Sequence, residues 1–270
     1  MRYDIFGNAD ANAATIVLSA GLGGLGGFWR PQFETLGQRF RVIVYDHRGT
    51  GKNAESLPDG YAIADMADDV VAILDDAGVA RCHFIGHALG GLVGLDIALR
   101  APSRLASLVL VNAWATVDSH TLRCFEVRKA LLDHVGPEAY VHAQPIFLHP
   151  AAWLSEHAAV IAREEEHGNA NFQGADNLTR RLEALLAFDA GGSLGEIEAP
   201  TLVVAARDDV LVPYTCSQTL ARGIKNARLW LAAEGGHACS VTDPGPFNAT
   251  LLEFLTGVDL INAGVPAGAS

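Results

Sequence analysis

A chain of 270 residues, half of them apolar, is long enough for one large domain with a substantial core and room for an inserted subdomain. A formal charge of -12 with no Lys/Arg cluster excludes a nucleic-acid surface, because phosphate binding needs concentrated positive charge. MRYDIFGNAD lacks the apolar segment and small-residue cleavage site of a leader, and no run approaches the length of a membrane span, so a cytoplasmic protein with a small-molecule partner and no membrane contact is expected. Cys82, Cys124, Cys216 and Cys239 are widely separated and show no metal-ligand spacing, so free thiols, no metal and no cofactor are expected.

In chain order, β-rich runs occur at 14–20, 41–46, 83–87, 105–113, 201–206 and 229–234. They are continuously apolar rather than alternating, which predicts a mostly parallel sheet covered on both faces, an α/β fold. Ile63, Met66, Ala67, Val70, Val71 and Leu74 keep the spacing of an amphipathic helix on one face. Strand signals vanish between 114 and 190, where Leu, Ala, Arg and Glu predict helices at about 120–134, 137–144, 151–167 and 174–188. The expected organisation is a core of 1–113 and 191–262, with 114–190 as a helical lid over the carboxyl ends of the strands. A closing helix is expected around Pro246, Phe247, Leu251, Leu252 and Leu255, and a flexible tail over 263–270.

Four loop motifs follow strands. GHALG, 86–90, has the glycine pattern of a sharp strand-to-helix turn that normally presents a serine, yet Ala88 holds the central place. SAGLGGLGG, 19–27, can turn backbone amides toward a developing oxyanion, and Leu22 and Leu89 are the expected donors. No Gly-Lys-Ser/Thr ending supports the rival reading of a phosphate loop. DHRGTG, 46–51, offers Asp46 and Arg48 as charged organisers of the loop beneath the site. Asp209, preferred to its neighbour Asp208, and His237 in EGGHACSVTDP each lie just past a strand, as an acid and a base should.

GLGG, DHRGTG, GHALG, DDVLVP and GGHA in this order resemble the α/β-hydrolase superfamily over nearly the whole chain. Within it GLGGLGGFWRPQ, RGTGKN, GHALGGLVG, RCFEVRKALL, AQPIFLHP, NFQGADNL and GGHACSVTDP are similar to the RutD family of pyrimidine-utilisation proteins, and this similarity extends into the helical block. The resemblance implies an α/β-hydrolase fold with an inserted helical lid, and a hydrolase of carbamate or aminoacrylate late in uracil breakdown. It also implies that the alanine of GHALG is the family's own residue.

Without a serine hydroxyl no acyl-enzyme can form at Ala88. A water in the vacated space, deprotonated by His237 with Asp209 orienting the ring, is the expected nucleophile. Such a site suits only labile substrates, since loss of a triad nucleophile leaves roughly 10³- to 10⁴-fold catalysis. Trp114 and Phe172, with Trp29, are candidate cavity walls, and Arg180 and Arg181 are candidate partners for a substrate carboxylate. Cys124 and Cys239 are weaker candidates for a substitute nucleophile, and His87 is expected to shape the turn. Two other functions stay open: a binding or sensor protein, and a base-driven lyase or cofactor-free oxygenase. A homodimer is also left open.

Overall fold

The computed structural model describes residues 1–262, so the expected tail at 263–270 lies outside the described residues. Seven strands form one sheet: β1 (Tyr3–Gly7), β2 (Thr15–Ser19), β3 (Arg41–Tyr45), β4 (Cys82–His87), β5 (Leu105–Val111), β6 (Thr201–Ala206) and β7 (Ala227–Ala232). Their order is β1-β3-β2-β4-β5-β6-β7, and every pairing is parallel except β1 with β3. This is the α/β-hydrolase arrangement.

Strands β2, β4 and β6 are buried along their whole length, which is why they read as unbroken apolar runs. Helices α1 (Arg30–Gly37), α2 (Ile63–Asp76) and α3 (Leu89–Arg100) follow in the first half. α2 is capped by Asp65, whose carboxylate accepts from the Ala62 amide at 2.8 Å. It buries Ile63, Met66, Ala67, Val70, Ile73 and Leu74, so the expected stripe faces the core and Val71 is only half-buried. The opposite face is covered by Trp29 and Leu36 together with Phe247, Leu251 and Leu255.

Between β5 and β6 come five helices: α4 (Ser119–His134), α5 (Pro137–Leu148), α6 (Ala151–Glu156), α7 (Ala158–Ala170) and α8 (Ala175–Ala187). The segment expected as one helix over 151–167 is two, because the chain breaks at His157, with φ -115° and ψ 30°. There the imidazole bonds the Trp153 carbonyl at 2.8 Å and stacks on the Trp153 ring at 4.2 Å. The insertion leaves and rejoins the core at a narrow neck, where Thr116 bridges Asp189 and the Ala190 amide bonds the Ala115 carbonyl at 3.0 Å. Helices α9 (Tyr214–Gly223), α10 (Cys239–Thr242) and α11 (Pro244–Asn262) complete the described chain, and α11 is longer than the closing helix expected. No helix among the described residues is long and apolar enough to cross a membrane.

Candidate active site

Six loops gather at the carboxyl edge of the parallel strands, and the turn from β4 into α3 is a sharp one. Ala88 carries it with φ of 47° and ψ of -112°, in the left-handed region that costs an L residue about 1–3 kcal/mol. Its amide donates to the Val111 carbonyl at 2.8 Å, which fixes the turn to β5. A Cβ at Gly86 would stand 2.2 Å from the Gly90 carbonyl oxygen, and one at Gly90 would stand 2.4 Å from that of Ser19. These contacts are with backbone, which cannot swing aside. Gly86→Ala is therefore expected to lower unfolding free energy by about 3 kcal/mol or more, read from the midpoint of a urea transition.

His237 and Asp209 come together beside this turn. The His237 Nδ1 lies 2.8 Å from Asp209 Oδ2, with the imidazole 2% and the carboxylate 0% exposed. Asp209 Oδ1 accepts from the amides of Leu211 and Val212 at 2.8 and 2.9 Å, so the carboxylate is locked and the ring orientation follows. Asp208 points elsewhere: its oxygens accept from the Gly235 and Gly236 amides at 3.2 and 2.9 Å and brace the histidine loop. The carboxylate holds Nδ1–H, which leaves Nε2 as the basic nitrogen. Among the described residues Nε2 has no hydrogen-bond partner, and the ring lines a cavity of about 650 Å³ together with Ala88, Leu22, Leu89 and Trp114. Asp209→Asn is expected to cut any His237-dependent rate by about 10²- to 10⁴-fold, since the amide selects the wrong tautomer. Asp208→Asn should cost less than tenfold in the same assay, because it keeps one carbonyl acceptor for the loop.

The amides of Leu22 and Leu89 make no hydrogen bond within the described residues, and both residues are buried. Leu89 opens α3, so its N–H is one that the helix cannot satisfy internally. The Leu22 loop is held from below by Asp46, which accepts from the Gly26 and Lys52 amides at 2.8 and 2.9 Å. Arg48 turns away to pair with Asp69, Nε to Oδ2 at 3.0 Å. From above, Gln173 donates to the Leu22 carbonyl at 3.3 Å.

The remaining candidates separate clearly. Trp114 lines the cavity, whereas Phe172 is half-buried against Tyr140 at 6.3 Å between ring centroids and is not on the cavity wall. Trp29 is buried near Phe247 in the opposite core. Arg180 is paired with Asp59 at 2.8 Å on the surface, away from Ala88. Arg181 is fully buried beside Gly24 and Thr50, lies off the cavity wall, and burial lowers its pKa to about 10. Burial also pushes the Cys239 thiol up to about 12, and Asn112 donates to its sulfur at 3.6 Å, so it is a poor nucleophile. The half-exposed Cys124 thiol is likewise raised, chiefly by desolvation.

Two site residues carried no motif. Asn112, at a φ of 49° just after β5, donates to the His237 carbonyl at 2.6 Å. Arg128 on α4 reaches the cavity from the helical insertion. Its signal was an arginine within the buried stripe Thr121, Phe125, Arg128 and Leu132.

His87 supports the same loop, with Nε2 donating to the His237 carbonyl at 2.9 Å and the ring stacked on Phe28 at 4.4 Å. Burial first, then the proximity of His237, hold its pKa well below the usual histidine value. Burial, then the Arg181 guanidinium, push His47 down to about 3. Both imidazoles are therefore neutral in the folded protein while the unfolded chain takes up protons near pH 6.5. Their contribution is complete above that pH and is lost as pH falls below it, for His47 down to about 3. Urea stability is expected to fall with a slope approaching about 1.4 kcal/mol per pH unit for each histidine across that window.

The α/β hydrolase fold family matches residues 14–145. A protein of Variovorax paradoxus named "Putative carbamate hydrolase RutD" is 55% identical over 268 residues, 99% of both chains. The chain belongs to the RutD family. A RutD relative of the same name from Agrobacterium fabrum is 51% identical, covering 96% of this chain and 99% of that one. Among solved structures, a hydrolase from Pseudomonas aeruginosa superposes with a TM-score of 0.84 at 30% identity, covering 94% of this chain and 93% of that one. The enol-lactonase from Burkholderia xenovorans gives 0.86 at 28% identity, covering 94% and 96%. The RutD match runs through the helical insertion as well as the sheet.

Proposed function

We propose that this RutD-family chain hydrolyses a small carbamate- or aminoacrylate-type compound of pyrimidine breakdown, with His237 activating water in place of a serine nucleophile. The observation that carries the reading is the buried His237–Asp209 pair at 2.8 Å beside an elbow whose central side chain is only a methyl group. A pocket that had lost its chemistry gains nothing from keeping that acid buried and doubly hydrogen-bonded.

With carbamate, Nε2 of His237 takes a proton as the water oxygen bonds to the carboxyl carbon, and the amides of Leu22 and Leu89 offset charge gathering on its oxygens. The proton then passes to nitrogen as the C–N bond breaks, leaving ammonia and bicarbonate. With aminoacrylate, a proton from solvent on the carbon next to the carboxylate gives an iminium, and water adds at the amino-bearing carbon as His237 takes its proton. That proton passes to nitrogen, and ammonia leaves as the hydroxyl returns its proton to solvent and 3-oxopropanoate forms. Both compounds decompose unaided, so modest catalysis suffices.

Ammonia release from freshly generated carbamate, and separately from aminoacrylate, is compared among wild type, His237→Ala and no protein. Acceleration that His237→Ala abolishes supports the reading. Equal rates in all three arms on both compounds overturn it. Ala88 favours one second reading, a binding protein, which would be supported by ligand recovered unchanged from a tight complex.

A further inference from the structure

The cavity is built for more than a four-atom substrate. Its volume of about 650 Å³ equals that of roughly twenty liquid waters and lies within the range of pockets for ligands of drug size. Phe28, Trp114, Phe125, Leu148 and Leu211 give it apolar walls. A carbamate ion has no apolar surface to offer them.

The charges on the walls run against the charge of the protein. The chain carries -12 overall, yet the cavity is lined by Arg30, Arg128 and Arg163 against one acid, Glu164, which already pairs with His149 at 3.2 Å. Arg128 is the decisive member. It is 4% exposed and has no carboxylate partner among the described residues. Its Nη2 donates to the Tyr140 hydroxyl at 2.7 Å and to Gln144 Oε1 at 3.2 Å, while Nε is buried with no partner. The rings of Phe125, Tyr140 and Phe147 surround the guanidinium at 5.5, 5.1 and 5.6 Å. Aromatic faces and two neutral acceptors hold the cation in place but leave its charge uncompensated. A buried guanidinium keeps its charge and its fork matches a carboxylate, so the missing counter-ion belongs to a ligand.

We propose that Arg128 is the anchor of a carboxylate subsite under the helical insertion, and that the cavity takes organic acids with an apolar body, the carboxylate on Arg128 and the body along Trp114 and Phe125. The orientation of the other end toward Ala88 and His237 rests on the hydrolase reading; the subsite itself does not.

The test is equilibrium binding, by calorimetry, of acetate, butyrate and hexanoate, with hexanamide as the neutral match. Wild type should gain about 3- to 4-fold in affinity per methylene and bind hexanoate at least about 10-fold tighter than hexanamide. Arg128→Met should lose the preference for hexanoate while keeping hexanamide, and Arg128→Lys should restore part of it. Equal binding of hexanoate and hexanamide by wild type overturns the proposal even if Arg128→Met fails to fold, as does undiminished hexanoate binding by folded Arg128→Met. Arg180→Met, which removes a surface guanidinium paired with Asp59 outside the cavity, should bind hexanoate like wild type. Ammonia assays without acceleration, alongside Arg128-dependent binding, would sink the hydrolase reading alone.

Discussion

His237→Ala is expected to slow protein-dependent ammonia release by about 10²- to 10⁴-fold, the usual contribution of a positioned general base. The loss should approach the whole effect, because the cavity holds no second base in an equivalent place. His87 is the nearest imidazole, with ring centroids 4.7 Å apart, but its Nε2 is committed to the His237 carbonyl. Its pKa is also held far down by burial, so it would be a weak acceptor for a proton from water. Removing the imidazole enlarges the cavity on that side but leaves the Leu22 and Leu89 amides in place. Residual acceleration of about tenfold from those groups is compatible with the mechanism; retention of the full rate is not. The measurement is initial ammonia release at matched protein concentration, with the spontaneous rate subtracted. Unchanged secondary structure and an unchanged urea midpoint within about 1 kcal/mol would show that the variant is folded.

Much of the architecture was legible because the central strands are buried on both faces and the loops that follow them carry glycine and charge. β1 was not, since YDIFG is a half-exposed edge strand that pairs antiparallel with β3, and its residues show neither a continuous run nor a clean alternation. The break at His157 was hidden for another reason. Helix-forming Ala, Arg and Glu continue beyond it, and the break shows in contacts that a sequence does not display: the His157 bond to the Trp153 carbonyl and the stacking of Trp153 between His149 and His157, at 4.5 and 4.2 Å. In the site, residues announced by loop motifs were visible, and those working from helices were not. Arg180 and Arg181 are adjacent on α8, so one faces solvent and Asp59 while the other enters the core. Sequence could not say which. Arg128 sat unmarked at an apolar-stripe position because a single cation among core residues has no spacing to read. Asp209 was separable from Asp208 only by its relation to Val212, and the structure gives that relation its physical content: two amides that fix one carboxylate against His237.

Ala88→Ser should convert the site to a different chemistry. The elbow already holds its strained backbone with φ of 47°, and the residue is 6% exposed beside the cavity. A serine hydroxyl adds one atom at the place where attacking water is proposed to stand, with a positioned base and two unengaged amides at hand. The expected result is a gain of about 10²-fold or more in hydrolysis of an activated ester such as 4-nitrophenyl acetate, short of the roughly 10⁶-fold that separates a full triad from one without its nucleophile. An initial burst stoichiometric with protein would report the acyl-enzyme. Ammonia release from carbamate should fall at the same time, because the hydroxyl displaces the attacking water. A double variant, Ala88→Ser with His237→Ala, should lose the ester activity again. If Ala88→Ser folds but gives neither burst nor ester turnover, His237 Nε2 does not face the elbow in solution, and the same geometry could not activate water there.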